Sequence, residues 1–327
     1  MREFRRGEAN VVVTAGMCTG IAVVLSLLGT IMPPFAGIVS FMVPIPIIAV
    51  SLLAGVQWGI IACIGTLVLD AMFFGPASTG FLSGIFTFLG VIFGICYRRR
   101  IPALATLGIG AVGMTAVILV QGWLVLQLMG IDYNAFSTSY VDAIQRQMNE
   151  ALPQMASGDT LTQMQGQMDT MFDNMRKIFF SGIALGMACV SWITMSLSKF
   201  VFRRIGIKDI PQLPDFGRWE MPTILAYLFI LTFGLGYFYD QGMLGTFDDH
   251  GWIEVVRMNI LAVCEFFFFI QGASLIWWMP VRYPSFKTYR WFIYGAVVLF
   301  PNLMMLALVE VGLFDMLFRY RKRHNYQ

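Results

Sequence analysis

Ionisable side chains set inside apolar sequence are the first place to look for chemistry, because holding a charge in hydrocarbon is costly and persists where something pairs or uses it. Glu265 stands out. It lies between Cys264 and four successive phenylalanines, with Gln271 about two turns after it and Arg257 about two turns before it. A carboxyl there serves as a substrate or proton-relay group, or stays protonated and hydrogen-bonded between helices. Both readings stand. Asp70 near the outer end of an apolar segment belongs with Glu265 and Gln271 as a candidate for a substrate cavity. Glu310, Asp315 and Asn302 beside Pro301 lie where the membrane interface is within reach.

Pro44 and Pro46 fall in the middle of an apolar segment, where each removes a backbone donor and the pair kinks or unwinds the helix. Freed carbonyls then need a partner or a cavity. Broken helices near the bilayer midplane are a common way to build transporter sites, and proline-kinked helices without a ligand are equally familiar. We therefore count Pro44 and Pro46 among the cavity candidates.

No reactive set suggests an enzyme. The two histidines, His250 and His324, lie outside the apolar segments, and neither H-E-x-x-H nor G-x-S-x-G occurs. Ser83-Gly84 lacks the preceding glycine of an intramembrane serine nucleophile, and Gly312-Leu313-Phe314-Asp315 lacks the glycine directly before its aspartate that an intramembrane aspartyl protease requires. No lysine follows a glycine, so a phosphate-binding loop is absent and any pumping needs an ion gradient or a separate energy subunit. The five cysteines are isolated in apolar sequence without C-x-x-C spacing, and read as small buried hydrophobes. We expect no catalytic residue, metal site, cofactor or nucleic-acid partner.

The elements that hold these residues follow from composition. Of 327 residues 57% are hydrophobic and 13% charged, against about 25% charged in soluble domains. Stretches 9–69, 71–97, 101–131 and 178–198 hold no Asp, Glu, Lys, Arg or His. A span needs roughly 20 apolar residues, and unbroken apolar runs rather than alternation exclude a barrel. The chain is all-α, a polytopic transmembrane bundle of eight or nine spans, placed at 11–32, 35–54, 57–75, 79–97, 103–129, 177–198, 221–239, 252–279 and 291–311.

Positive charge orients them. Arg2, Arg5 and Arg6, Arg98 to Arg100, the linker with Lys199, Arg203, Arg204 and Lys208, and Arg282, Lys287 and Arg290 belong to the cytoplasmic face of a bacterial inner membrane, with the N-terminus inside. One feature conflicts: nine spans would put the basic tail Arg319, Arg321, Lys322 and Arg323 outside. Either one segment fails to cross, or the tail breaks the rule.

Organisation follows the charge map: helices 1–5 over 1–130, an extracytoplasmic Met/Gln-rich insertion over 131–176, helix 6 over 177–202, a basic cytoplasmic linker over 203–220, and further helices with the tail over 221–327. Leu161, Met164, Met168, Met171 and Met175 recur on one helical face that can run into span six. Packing explains them better than thioether coordination of Cu(I). Small pairs four apart, such as Gly16 and Gly20, permit close helix approach, inside the bundle or toward a partner.

Three motifs carry a resemblance: Pro33-Pro34 with Pro44-Ile45-Pro46, the stretch Leu213-Pro214-Asp215-Phe216-Gly217-Arg218-Trp219-Glu220-Met221-Pro222, and Gly312-Leu313-Phe314-Asp315 with Arg319. Together they resemble the YybS family of bacterial membrane proteins across nearly the whole chain. The first six spans are similar in plan to substrate-binding S components of energy-coupling-factor (ECF) transporters. That likeness implies a six-helix unit with two or three added helices, an external ligand site under the insertion, and a partner-docking face of Ala15, Gly16, Thr19 and Gly20. The chain departs from that plan in its enlarged insertion and its added spans. From the residues alone, 213–222 reads as an interfacial entry to span seven, with Trp219 at headgroup level.

These readings imply a lipid-embedded protein that binds or transports a small solute, with an energy-coupling subunit as partner. The alternative is a scaffold or assembly factor of the cell envelope, with an envelope protein as partner.

Overall fold

The computed structural model describes residues 2–32, 36–129, 142, 144–150, 159–207, 210–243 and 251–321. Among them every regular element is helical. The helices are α1 (Arg2–Ile31), α2 (Ala36–Ser40), α3 (Pro44–Leu53), α4 (Val56–Phe74), α5 (Pro76–Arg98), α6 (Ala103–Met129), α7 (Asp159–Lys177), α8 (Phe179–Arg204), α9 (Ile224–Asp240), α10 (Trp252–Arg282), α11 (Phe286–Leu299) and α12 (Pro301–Phe318), with a 3-10 turn at Phe216–Arg218. Among the described residues, seven candidate spans are long and apolar enough to cross a bilayer, and Phe86–Arg98 and Ile224–Tyr239 are shorter apolar helices. The chain is a polytopic helical membrane protein. It divides into two compact units, Met1–Ser139 with Ile183–Gln212, and Tyr140–Gly182 with Leu213–Gln327.

In the first unit, the break in span two comes before its prolines. The chain turns at 41–43, where Met42 N–H donates to Val39 O and Val43 N–H to Ser40 O, and Pro44 opens α3. Proline suits a first helical position, since its missing N–H would have no intrahelical acceptor there. The Pro44 carbonyl then packs against α5, 2.9 Å from where a Cβ on Gly90 would sit. Arg98 at the end of α5 donates to Ser51 O (3.2 Å), and Tyr97 pairs with Ser198 of α8 (3.0 Å). Ala15, Ala22, Ile47, Val50, Ala62 and Cys63 form a buried core.

The second unit is built on α10. α9 covers one side with Ala226 against Cys264 and Phe268. α11 runs antiparallel to α10, because Tyr294 donates to Ala273 O (2.7 Å) and Trp291 meets Trp277 (6.0 Å between centroids). α12 runs parallel to it, because Gly312 packs on Phe268 while Gln271 meets Asp315 and Ser274 meets Arg321.

This corrects the ninth span. The expected helix over 291–311 is two helices, broken at Phe300 (φ −130°, ψ 62°) where Pro301 starts α12. Proline disfavours helical backbone in the residue before it, so the chain turns there. The hairpin tip exposes Val298, Leu299, Phe300 and Leu303, with Asn302 as the polar side chain among them.

Residues expected to run as one helix from the insertion into span six do so with one interruption, at Ile178. Asn259 of α10 bridges it, its amide donating to Lys177 O (2.7 Å) and its carbonyl accepting from Ser181 N–H (3.1 Å). Along α7, Met164 and Met171 are exposed, Met168 and Met175 half-buried, and Phe172 is the buried residue.

Candidate functional site

Gly272 and Gly312 bring the backbones of α10 and α12 together: a Cβ on Gly272 would strike Leu308 O, and one on Gly312 would strike Phe268 O. This close parallel crossing is the small-residue mode of membrane helix packing. It sets Gln271 beside Asp315, and the Gln271 amide donates to Asp315 Oδ2 at 2.6 Å.

Arg319 caps α12 in the left-handed region (φ 50°, ψ 46°), its N–H bonded to Asp315 O. That reversal folds the chain back, so Arg321 enters the unit rather than leaving it. Its Nε and Nη2 donate to Asp315 Oδ2 at 3.0 and 2.9 Å, and its Nη1 donates to Gly217 O (2.9 Å) and Ser274 Oγ (3.0 Å). Arg321 and Asp315 are only 3% and 4% exposed.

The stretch 213–222 closes the site. Ser274 Oγ donates to Phe216 O (2.6 Å), with Trp219 O at 3.1 Å, and Met221 N–H donates to Gln271 Oε1 (2.9 Å). Gly217 lies where an added Cβ would come within 3.2 Å of the Trp278 backbone, so a larger residue fits only if that backbone yields. Just outside, Tyr320 packs edge-on to Trp278 and shares a hydrogen bond with Tyr283, which holds its phenol above the usual range.

One polar atom is left over. Asp315 Oδ2 takes three N–H donors, whereas Oδ1 is buried with no partner. A cavity of about 40 Å³ adjoins it, lined by Glu220, Met221, Thr223, Gln271, Asp315, Met316, Arg319 and Arg321. A water needs about 10–15 Å³ by this measure, so the space holds a few waters or one small ion. The site is a carboxyl group that takes three donors on one oxygen and is open to a donor on the other.

The family described as predicted membrane protein (DUF2232) matches residues 20–316. The chain belongs to the DUF2232 family. No curated protein and no solved structure matches it.

Of the residues singled out by sequence in this DUF2232 member, Gln271 lies in the site. Glu265 is on an exposed face of α10, away from it, and makes no hydrogen bond or ion pair among the described residues. Asp70 is fully buried on α4, and Pro44 and Pro46 are buried at the start of α3, all in the first unit. The five cavity candidates therefore divide between the two units.

The four docking candidates divide too. Ala15 is buried, and Thr19 donates to Ala15 O (2.8 Å) with its methyl 3.3 Å from the position of a Cβ on Gly65. Gly16 and Gly20 face open space.

Sequence reasoning passed over Ser274, Gly272 and Arg321, and ranked Asp315 below Glu265. A signal was present: the two motifs at 213–222 and 312–319 are the two segments that meet here, and an arginine two residues past the second is placed to join them.

Proposed function

We propose that this DUF2232 protein is a non-enzymatic, transport-related protein of the bacterial cytoplasmic membrane that binds a small solute, with the Asp315–Arg321–Gln271 centre as its ion-handling element. The observation that carries this reading is the unpartnered, buried Asp315 Oδ1 beside a water-sized cavity. Ionisable groups inside helical membrane proteins mark ion and proton paths, and helical hairpins that turn at membrane depth recur beside them. Glu220 and Asp315 balance Arg319 and Arg321 in the cavity lining, so a neutral water that donates to Oδ1 and can pass a proton on is the favoured occupant. The solute itself needs a larger site, since small-molecule pockets run to about 300–1,000 Å³. Pro44, Pro46 and Asp70 in the S-component-like first unit are where we place it.

The N-terminus, the 203–220 linker and the tail are all cytoplasmic in this reading. What supports it is the hairpin, which returns Arg321 to Gly217, so the tail and the linker share one end of the second unit. An even number of crossings then satisfies the positive-inside rule, and the conflict posed by nine spans disappears.

A second reading, an envelope scaffold, draws on the open Gly16 and Gly20 face flanked by exposed Val12, Val13 and Met17. The same face would dock an energy-coupling subunit if the YybS-like chain works as an S component does.

Native mass spectrometry of the detergent-purified protein, with a thermal-shift screen of metabolites at several pH values, separates these. Transport predicts a retained solute whose stabilising effect depends on pH in the wild type and loses that dependence in Asp315→Asn. No solute adduct and no thermal shift, with envelope proteins recovered by affinity purification, would favour the scaffold and overturn the transport reading.

A further inference from the structure

Arg290 is held in a way that no feature of the Asp315 centre explains. Its guanidinium carbon lies 4.3 Å from the Trp277 ring centroid and 5.3 Å from that of Trp291. The two indoles meet edge to face at 6.0 Å, and Tyr294 fixes α11 by its bond to Ala273 O. Stacking orients the charge without neutralising it.

Among the described residues Arg290 makes no ion pair. The sequence has no Asp or Glu between Glu265 and Glu310. Glu310 is exposed on α12 and makes no ion pair with Arg290, and Asp315 is committed to Arg321. Arg290 Nε is buried without an acceptor, and no hydrogen bond or ion pair engages its other N–H groups among the described residues. Lys287, one turn earlier, and Arg282 at the end of α10 are exposed and add charge of the same sign.

We infer that Arg290, with Lys287 and Arg282, binds the phosphate of an anionic phospholipid headgroup. A planar guanidinium with free N–H groups matches phosphate in a bidentate fork, which an ammonium cannot do. Beside Arg290 on α11, Tyr289, Trp291 and Phe292 are 62%, 59% and 71% exposed, an aromatic girdle of the kind that sits at headgroup level. A phosphate at that depth belongs to a lipid rather than to a soluble anion. Because Trp277 also touches Phe216, headgroup binding bears on the segment that closes the Asp315 centre.

The full chain in nanodiscs of equal phosphatidylglycerol and phosphatidylcholine, released for native mass spectrometry, tests this. Wild type retains phosphatidylglycerol in preference. Arg290→Gln lowers that preference about fivefold, the worth of one basic group at an anionic surface. Arg290→Lys, which keeps charge and fold but loses the fork, lowers it by less. Arg203→Gln, on the exposed basic end of α8 in the first unit, removes the same charge without the aromatic setting and lowers the preference by less than Arg290→Gln. Undiminished preference in a monodisperse Arg290→Gln protein, or displacement of the lipid by inorganic phosphate, overturns the assignment.

Discussion

Replacing Arg321 with methionine removes four hydrogen bonds and one buried charge while keeping most of the side-chain volume. Two of those bonds end on Asp315 Oδ2, leaving Gln271 as the sole donor to a carboxylate whose side chain is 2% exposed. Breaking a buried pair from one side costs about 3–5 kcal/mol, because the remaining charge is uncompensated. Gly217 O also loses its donor, at about 1–3 kcal/mol. The lower figure alone shifts the folding equilibrium by about two orders of magnitude. Removing the second charge as well, in Arg321→Met with Asp315→Leu, leaves an apolar contact and restores most of the loss. The assay is unfolding by SDS titration in mixed micelles, followed by tryptophan fluorescence, for the wild type, both single variants and the double variant. The coupling energy of the cycle should reach about 2–3 kcal/mol, toward the upper end for contacting residues. A coupling near zero, or a single variant within about 0.5 kcal/mol of wild type as at ordinary surface sites, would show that water already solvates the pair and refute the argument from burial.

Other outcomes follow from the same geometry. Gly272→Ala and Gly312→Ala each set a methyl against a backbone carbonyl that cannot rotate away, and should destabilise by at least about 1–3 kcal/mol; Gly16→Ala and Gly20→Ala, which meet nothing within 4 Å, should stay within about 0.5 kcal/mol of wild type in the same titration. Asn259→Ala leaves Lys177 O and Ser181 N–H without their bridge, so amide exchange at Ser181 should rise by roughly one order of magnitude or more, and unchanged exchange would assign the junction to packing alone. Single cysteines at Asp215 and Gln327 in a cysteine-free background should be labelled by an impermeant maleimide from the same side, since Arg321 reaches Gly217; labelling from opposite sides would disprove the hairpin.

Membrane residence and helical class were fixed by composition, because lipid offers backbone groups no alternative hydrogen-bond partner. Helix boundaries were largely legible for a related reason: charge, proline and glycine punctuate long apolar runs. The failure at 291–311 is instructive. Pro301 was visible, but a proline opens a helix as readily as it kinks one, and only the contacts of α11 and α12 with opposite directions of α10 show which happened. Pro44 repeats the lesson, as the break precedes it and Gly90 fills the space beside it.

The site was less legible. Hydropathy makes Glu265 the most conspicuous charge, yet rotation about the α10 axis turns it outward, and rotation is set by packing. Asp315 looked like an interfacial residue and Arg321 like part of a basic tail, because their sequence neighbours are charged or close to a span end. Their burial depends on a glycine crossing between helices some forty residues apart and on a single left-handed turn at Arg319. By itself the sequence determined the solvent, the helices and the sign of charge at each end. The tertiary structure alone decided which polar groups meet, since pairing across helices is a matter of register and approach distance that local composition does not encode.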